Sequence, residues 1–293
     1  MEDHRLTIVS NIQVLREEIM EARSQKKTIA FVPTMGALHE GHLSLIDFAK
    51  EHADLVVCSI YVNPTQFAPG EDLDAYPRNL IEDIRALEGK LTDFVFTPTD
   101  DEMYPDSFST KVSVSGVTSQ LCGKSRPDHF DGVATVVTKL LMMIQPDYAI
   151  FGEKDYQQLL VIRRFVRDLN IPVEILGAPI IRAEDGLALS SRNQYLSEEE
   201  RALAPLLYKT LTELSEDLSQ NDGDVRERLA KSIAELTDAG FDVDYLELRD
   251  ANSLAPIAEL YEDQSARLFV AAKLGTTRLI DNVAVIAPAE DQS

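Results

Sequence analysis

The sequence predicts an α/β fold in which helices cover both faces of a parallel sheet, followed by a smaller α+β domain. Three observations predict it. Short apolar runs at 28–32, 54–62, 93–97, 147–151 and 172–181 alternate with helical patterns at 11–23, 42–52, 80–87, 133–144 and 156–169. The runs are continuous in their apolarity, as expected of strands buried on both faces. Near Ser197 the alternation stops.

Taken in order, the second run carries Leu55-Val-Val-Cys-Ser-Ile60, so Cys58 reads as a buried strand residue. The last helix of the alternating part places Leu159, Ile162, Arg163 and Val166 at helical spacing. Ser197-Glu-Glu-Glu200 fits a capping box, with Glu200 three residues after the cap. Two acidic amphipathic helices are expected next, at 198–219 and 224–238, separated by Asn221-Asp-Gly223. Strand-like runs at 243–248, 267–274 and 277–286 complete the chain, and the tail from Pro288 to Ser293 reads as loose. A domain boundary is expected between 186 and 197, giving domains of 1–188 and 189–293.

The 293 residues are 44% hydrophobic and 27% charged, enough to bury a core unaided. Fifty Asp and Glu against 28 Lys and Arg leave a formal net charge of −22. Such a surface repels phosphate backbones and anionic lipid, which argues against nucleic-acid and membrane-surface roles. An anionic substrate must be received by a local cluster of donors. Cys58 and Cys122 form neither a disulfide framework nor a zinc spacing. The charged start Met1-Glu-Asp-His-Arg5 precedes no signal-peptide core, and no apolar run approaches the roughly 20 residues that span a bilayer. The chain reads as cytoplasmic.

The strongest chemical signal is Phe31-Val-Pro-Thr-Met-Gly-Ala-Leu-His-Glu-Gly-His-Leu43, a strand entering a Gly-bearing turn and then a helix. His39 and His42 are three apart and point the same way if the helix starts near His39. A helix start offers free N–H groups and partial positive charge, which suit phosphates. Imidazoles there can donate to phosphate oxygens as charge builds on them. The bland alternative is two polar histidines at a helix start. Gly123-Lys-Ser125 lacks the first glycine of a P-loop, whose place Thr118 takes, and no G-x-G-x-x-G occurs.

A second segment, Phe151-Gly-Glu-Lys-Asp-Tyr-Gln-Gln158, follows a strand. Gly152 admits close backbone approach, Lys154 offers a cation, and Asp155 accepts from ribose hydroxyls. A solvated helix start with Asp155 as its cap is the alternative. A third, Asp185-Gly-Leu-Ala-Leu-Ser-Ser-Arg192, sets Ser190, Ser191 and Arg192 where a mobile loop takes a triphosphate tail, or serves as a polar linker. In Tyr61-Val-Asn-Pro-Thr-Gln-Phe67, Asn63 and Gln66 are neutral groups that can orient a hydroxy acid without quenching its nucleophilic carboxylate. A plain Asn-Pro turn is the rival there.

Together these segments resemble the pantothenate synthetases (pantoate–β-alanine ligases), members of the H-x-G-H nucleotidyltransferase superfamily. The matching pieces are 33–42, 63–67, 74–78, 126–132, 151–158 and 186–192, and the similarity continues into 244–250 and 274–282. From the place of Ser190–Arg192 at the expected domain junction, ATP is expected to order that loop and draw the smaller C-terminal lid domain over the site. The resemblance implies a Rossmann-like nucleotide- and pantoate-binding domain and a homodimer. It implies that pantoate and ATP give pantoyl-adenylate and pyrophosphate, and that β-alanine then gives pantothenate and AMP, with Mg2+ accompanying ATP. Met35, Gly36, His39 and His42 would hold the nucleotide, with His42 as proton donor or phosphate stabiliser. Gly152, Lys154 and Asp155 would hold ribose and phosphate, and Lys154 would join His42 in catalysis. Ile181 and Leu189 would line the adenine region, while Ser190, Ser191 and Arg192 take the outer phosphates. Gln66, Gln158 and Asn63 would serve pantoate, with Gln66 also near β-alanine, and Glu82 and Asp83 fall where carboxylates meet magnesium.

The sequence departs from the family's common pattern at Thr65, where methionine is frequent, and at Cys122, where glutamate is frequent. A transferase moving AMP onto a phosphorylated acceptor would need extra cations, where this chain offers neutral glutamines. A tRNA synthetase sits poorly with a charge of −22. A silent nucleotide-binding regulator would be free to lose His42 and Lys154, and both are present.

Overall fold

The computed structural model of the chain describes residues 5–220, 224–261 and 264–286. The expected Asn221-Asp-Gly223 turn and the tail from Pro288 to Ser293 lie outside them. Two compact units divide the chain. The first comprises Met1–Ser119, Gly123–Glu153 and Gln157–Pro179, and the second comprises Gln120–Cys122, Lys154–Tyr156 and Ile180–Ser293.

In the first unit, β1 (Thr7–Val9), β2 (Ile29–Thr34), β3 (Leu55–Ile60), β4 (Phe94–Phe96), β5 (Tyr148–Gly152) and β6 (Glu174–Ala178) form one sheet. Their order is β1-β4-β3-β2-β5-β6, and every pairing is parallel. The connecting helices are α1 (Ile12–Ser24), α2 (Glu40–Lys50), α3 (Leu80–Gly89), α4 (Asp100–Met103), α5 (Cys122–Ser125), α6 (His129–Ile144) and α7 (Tyr156–Asp168). The short β1 and α4 carry too few residues for a period to show in sequence. The expected strand at 172–181 shortens to β6, because Pro172 and Pro179 flank it and cannot donate to a ladder. The helix expected from 133 starts a turn earlier, at His129.

Burial on both sheet faces explains the continuous apolar runs. Ala30 and Val32 of β2 pack with Leu45, Ile46 and Ala49 of α2 and with Leu87 of α3. Ile29 and Phe31 alternate to the opposite face, are equally buried, and α6 packs against their strand. The Val, Leu, Ile and Phe side chains among them each contribute about 1.5–3 kcal/mol on burial. From β2 the sheet grows through β3 and β4 on one side and through β5 and β6 on the other. The switch point therefore lies between β2 and β5, and ligands of open parallel sheets bind beyond the C-terminal strand ends at such a point.

In the second unit, β7 (Asp242–Asp250), β8 (Ala266–Leu274) and β9 (Thr277–Val285) form an antiparallel sheet in that order. It is accompanied by α8 (Glu198–Leu203), α9 (Leu206–Gln220) and α10 (Val225–Asp238). The single helix expected over 198–219 is two helices. Pro205 separates them, since it lacks an N–H and disfavours helix in the residue before it. The expected capping box is present: Glu200 N donates to Ser197 Oγ at 3.2 Å, and Ser197 N donates to Glu200 Oε2 at 2.9 Å. Leu207, Leu211, Leu214 and Leu218 form the buried stripe of α9, in one core with Leu246, Leu268 and Val270 of the sheet.

Candidate active site

The turn leaving β2 sits at the switch point and is built for close approach. Thr34 Oγ1 donates to the Ser59 carbonyl at 2.7 Å and accepts from Gly36 N at 3.3 Å. Gly36 and Ala37 both have positive φ, +80° and +51°. A Cβ on Gly36 would lie 2.9 Å from Asp83 Oδ2, so glycine is required there twice over. Asp83, on α3, is buried, and its two oxygens accept from Ala37 N at 3.0 Å and Leu38 N at 2.7 Å. Burial pushes its carboxyl above the ordinary range, and the two backbone donors pull the other way. Asp83 thus clamps the turn, while its expected companion Glu82 is exposed on α3 and accepts nothing from this turn. Among the described residues no group of three or more His, Cys, Asp or Glu is placed to hold a metal ion.

His39 caps α2: its backbone is extended and its Nδ1 accepts from Gly41 N at 3.1 Å. The ring proton of the neutral imidazole is thereby directed to Nε2. His42 follows on the first turn with its ring centroid 4.2 Å from that of His39, as the spacing predicts. Gly152 ends the neighbouring strand β5, and a Cβ there would sit 4.0 Å from Leu45 Cδ2 of α2.

After β3, the 3₁₀ turn Pro64–Gln66 carries the neutral amides. Asn63 is fully buried, and its Oδ1 accepts from Tyr104 OH at 2.8 Å and Thr65 Oγ1 at 3.0 Å. Its Nδ2 donates to Gln66 Oε1 at 3.1 Å and to the Gly132 carbonyl at 3.3 Å. All the polar capacity of Asn63 is committed to protein, which makes it a brace for Gln66. Gln66 Nε2 reaches Met35 Sδ at 3.0 Å, joining the β3 turn to the β2 turn. The Gln66 carbonyl is held by His129 Nδ1 at 2.9 Å and by Arg126 at 3.4 Å. Arg126 also forks onto Glu71 at 2.5 and 2.6 Å. Burial opposes ionisation of Glu71, yet Arg126 holds its carboxyl below the usual range. Gly132 lets α6 approach, because a Cβ there would lie 2.4 Å from the Thr65 carbonyl. Gln158, on α7, is half-buried and makes no side-chain hydrogen bond with a described residue, whereas its neighbour Gln157 is buried and donates to the Val117 carbonyl at 2.8 Å. Burial pushes the Cys58 thiol up to about 12, so it offers no nucleophile.

In the second unit, Lys154 Nζ lies 3.9 Å from Asp155 Oδ2. The Lys154 carbonyl accepts from Asn282 Nδ2 at 3.0 Å. Residues 181–189 fold back as a hairpin: Leu189 N donates to the Ile181 carbonyl at 3.0 Å, and Arg182 bridges Ala188. Ile181 and Leu189 are thereby adjacent. Ser190 caps the following turn, its Oγ accepting from Arg192 N at 3.3 Å, with Ser191 and Arg192 inside the turn. The sequence reading missed Asp83 as a clamp, Arg126 with Glu71, and Asn282. For the last a signal existed, since Asp281-Asn282 interrupts a strand otherwise largely apolar.

The sequence profile of the pantoate–β-alanine ligases matches residues 7–284. The chain belongs to that family. A pantothenate synthetase of Acinetobacter baumannii is 56% identical over 277 residues, covering 94% of this chain and 97% of the relative. One from Pseudomonas aeruginosa is 52% identical over 282 residues, covering 96% and 99%. The crystal structure of pantothenate synthetase from Thermus thermophilus superposes with a TM-score of 0.89 at 46% identity, over 96% of this chain and 99% of that one. The Francisella tularensis pantoate–β-alanine ligase, complexed with β,γ-ATP and β-alanine, gives 0.77 at 36% identity, over 96% and 98%. Pantoate–β-alanine ligases are carbon–nitrogen ligases, so this chain is an enzyme that forms pantothenate. No helix among its described residues is long and apolar enough to cross a membrane.

Proposed function

We propose that this ligase works through a pantoyl-adenylate. The pantoate carboxylate attacks the α-phosphorus of ATP and displaces pyrophosphate. The amine of β-alanine then attacks the acyl carbon, the C–O bond to AMP breaks, and the amine gives up a proton as the amide forms. The carrying observation is the β2 turn at the sheet's switch point, where the paired imidazoles of His39 and His42 stand at a helix start that attracts anions. In this reading Met35, Gly36, His39, His42, Gly152, Lys154, Asp155, Ile181, Leu189, Ser190, Ser191 and Arg192 bind ATP. His42 and Lys154 stabilise charge on the phosphates as the adenylate forms.

Gln66 and Gln158 orient pantoate. Asn63 serves that role indirectly, since its own donors and acceptor are committed to Gln66, Gly132, Thr65 and Tyr104. Magnesium enters as the counter-ion of ATP. The fit to a protein-held ion is poor, because both Asp83 oxygens already accept backbone N–H groups, and no step is assigned to one. Gln66→Ala and Gln158→Ala should each raise the KM for pantoate several-fold, as expected for one neutral hydrogen bond of about 0.5–1.5 kcal/mol, with ATP binding nearly unchanged. Steady-state kinetics with pantoate and ATP varied in turn measures this. Parent-like pantoate dependence in both variants contradicts the assignment.

A further inference from the structure

Two neighbouring residues of β9 reach two segments of the second unit, the turn at 154–156 and the hairpin that leads into 190–192. We propose that Asp281 and Asn282 are positioning residues for adenylate formation, Asn282 through Lys154 and Asp281 through the hairpin that leads into 190–192. This rests on the ATP-binding reading above and extends it to residues that touch no substrate.

Successive residues of a strand point to opposite faces, so an adjacent polar pair can serve two separate segments. Both side chains are buried, and a buried polar group destabilises a fold unless it is bonded. Asn282 Nδ2 donates to the Lys154 carbonyl at 3.0 Å, and its Oδ1 accepts from the Arg267 guanidinium. That guanidinium lies over the Tyr156 ring, 3.9 Å from its centroid. The turn at 154–156 is therefore pinned at both ends, at the Lys154 carbonyl and at the Tyr156 ring, with Asp155 between. On the other side, Asp281 takes a two-pronged bond from Arg182 at 2.6 and 2.8 Å. Arg182 also donates to the Gly186 carbonyl at 3.1 Å and stacks 3.7 Å from the Tyr208 ring centroid. Gly186 has φ +93°, and a Cβ on it would lie 2.6 Å from Tyr208 Cδ1. The hairpin tip is thus fitted to the same aromatic ring that Arg182 covers. Asp281 Oδ1 further accepts from Asn282 N at 2.8 Å, which ties the two members of the pair together. A charge-stabilising group must be held to about 0.5 Å, and a 1 Å error can cost about 100-fold in rate. The pair supplies that precision.

Asn282→Asp isolates the Lys154 arm. It keeps the size and the acceptor for Arg267 and replaces the donor to the Lys154 carbonyl with an oxygen. Pantoate-dependent exchange of labelled pyrophosphate into ATP should fall about tenfold at saturating substrate, the scale of one strong hydrogen bond, with the KM for pantoate unchanged. Lys154→Ala should abolish most exchange, and adding Asn282→Asp to it should cost nothing more. Losses that multiply in the double variant mean a merely structural role and overturn the inference. So does parent-like exchange by Asn282→Asp beside a crippled Lys154→Ala, an outcome that spares the ATP-binding reading. Parent-like exchange by Lys154→Ala overturns both. If Asn282→Asp loses its native circular dichroism, Arg267→Lys carries the test with the same outcomes, because it removes the planar group stacked on Tyr156.

Discussion

His42→Ala should slow adenylate formation by about 10²–10³-fold while leaving the fold intact. The side chain stands on the first turn of α2, beside His39 and at the C-terminal edge of the sheet. In the proposed adenylation, negative charge moves toward the departing pyrophosphate as pantoate attacks, and a donor placed there would help most in the transition state. Such a loss lowers the rate constant more than it weakens ground-state binding of ATP. The fold should survive because Leu45, Ile46 and Ala49 carry the packing of α2, and His42 is only half-buried. The step that consumes β-alanine should suffer less, since no pyrophosphate charge develops in it. Single-turnover kinetics of adenylate formation and of pantothenate release, with circular dichroism as control, separates the two steps. A folded variant within threefold of the parent in the first step contradicts the role.

Asp281→Ala should produce the largest loss of stability among changes near the site. Its partner Arg182 is 16% exposed in its side chain and Asp281 only 4%, so solvent screens the pair little. Removing one member of a buried pair strands the other charge and costs about 3–5 kcal/mol. For a unit of this size that is roughly 10–30 °C in the melting transition that reports the second unit. The double replacement Asp281→Leu with Arg182→Met should recover much of the loss, because well-packed apolar pairs often match buried ion pairs. Calorimetry of the parent, the single variant and the double variant decides the matter. A single variant that melts with the parent shows that the pair contributes nothing to holding the hairpin.

The layered part of the fold was legible because its cause is local. Strands buried on both faces must be apolar throughout, and the helices between them must carry a stripe, so 54–62 and 156–169 announce themselves. The helix start at His39 was readable from a turn glycine and two histidines three apart. What escaped depends on contacts distant in sequence. Nothing in the sequence marks Asp83 as a backbone clamp, and only folding brings it to the Ala37 amide, 46 positions earlier. Its two carboxylate oxygens accept the Ala37 and Leu38 amides. Asn63 reads as a ligand because it is neutral and polar, but burial gives it four protein partners. The two helices read as one at 198–219 had their break written in Pro205, whose local effect outweighs the amphipathic pattern running across it. Asp281 and Asn282 needed the opposite inference, that polar residues inside an apolar strand must be satisfied from elsewhere.

The pantoyl-adenylate is the central claim, and isotope exchange tests it most directly. Labelled pyrophosphate is incubated with ATP and the enzyme, with pantoate present and β-alanine withheld. Reversible adenylation should carry label into ATP at a rate that rises with pantoate and disappears without it. Exchange that ignores pantoate, or that requires β-alanine, would contradict a mechanism in which pantoate is activated first.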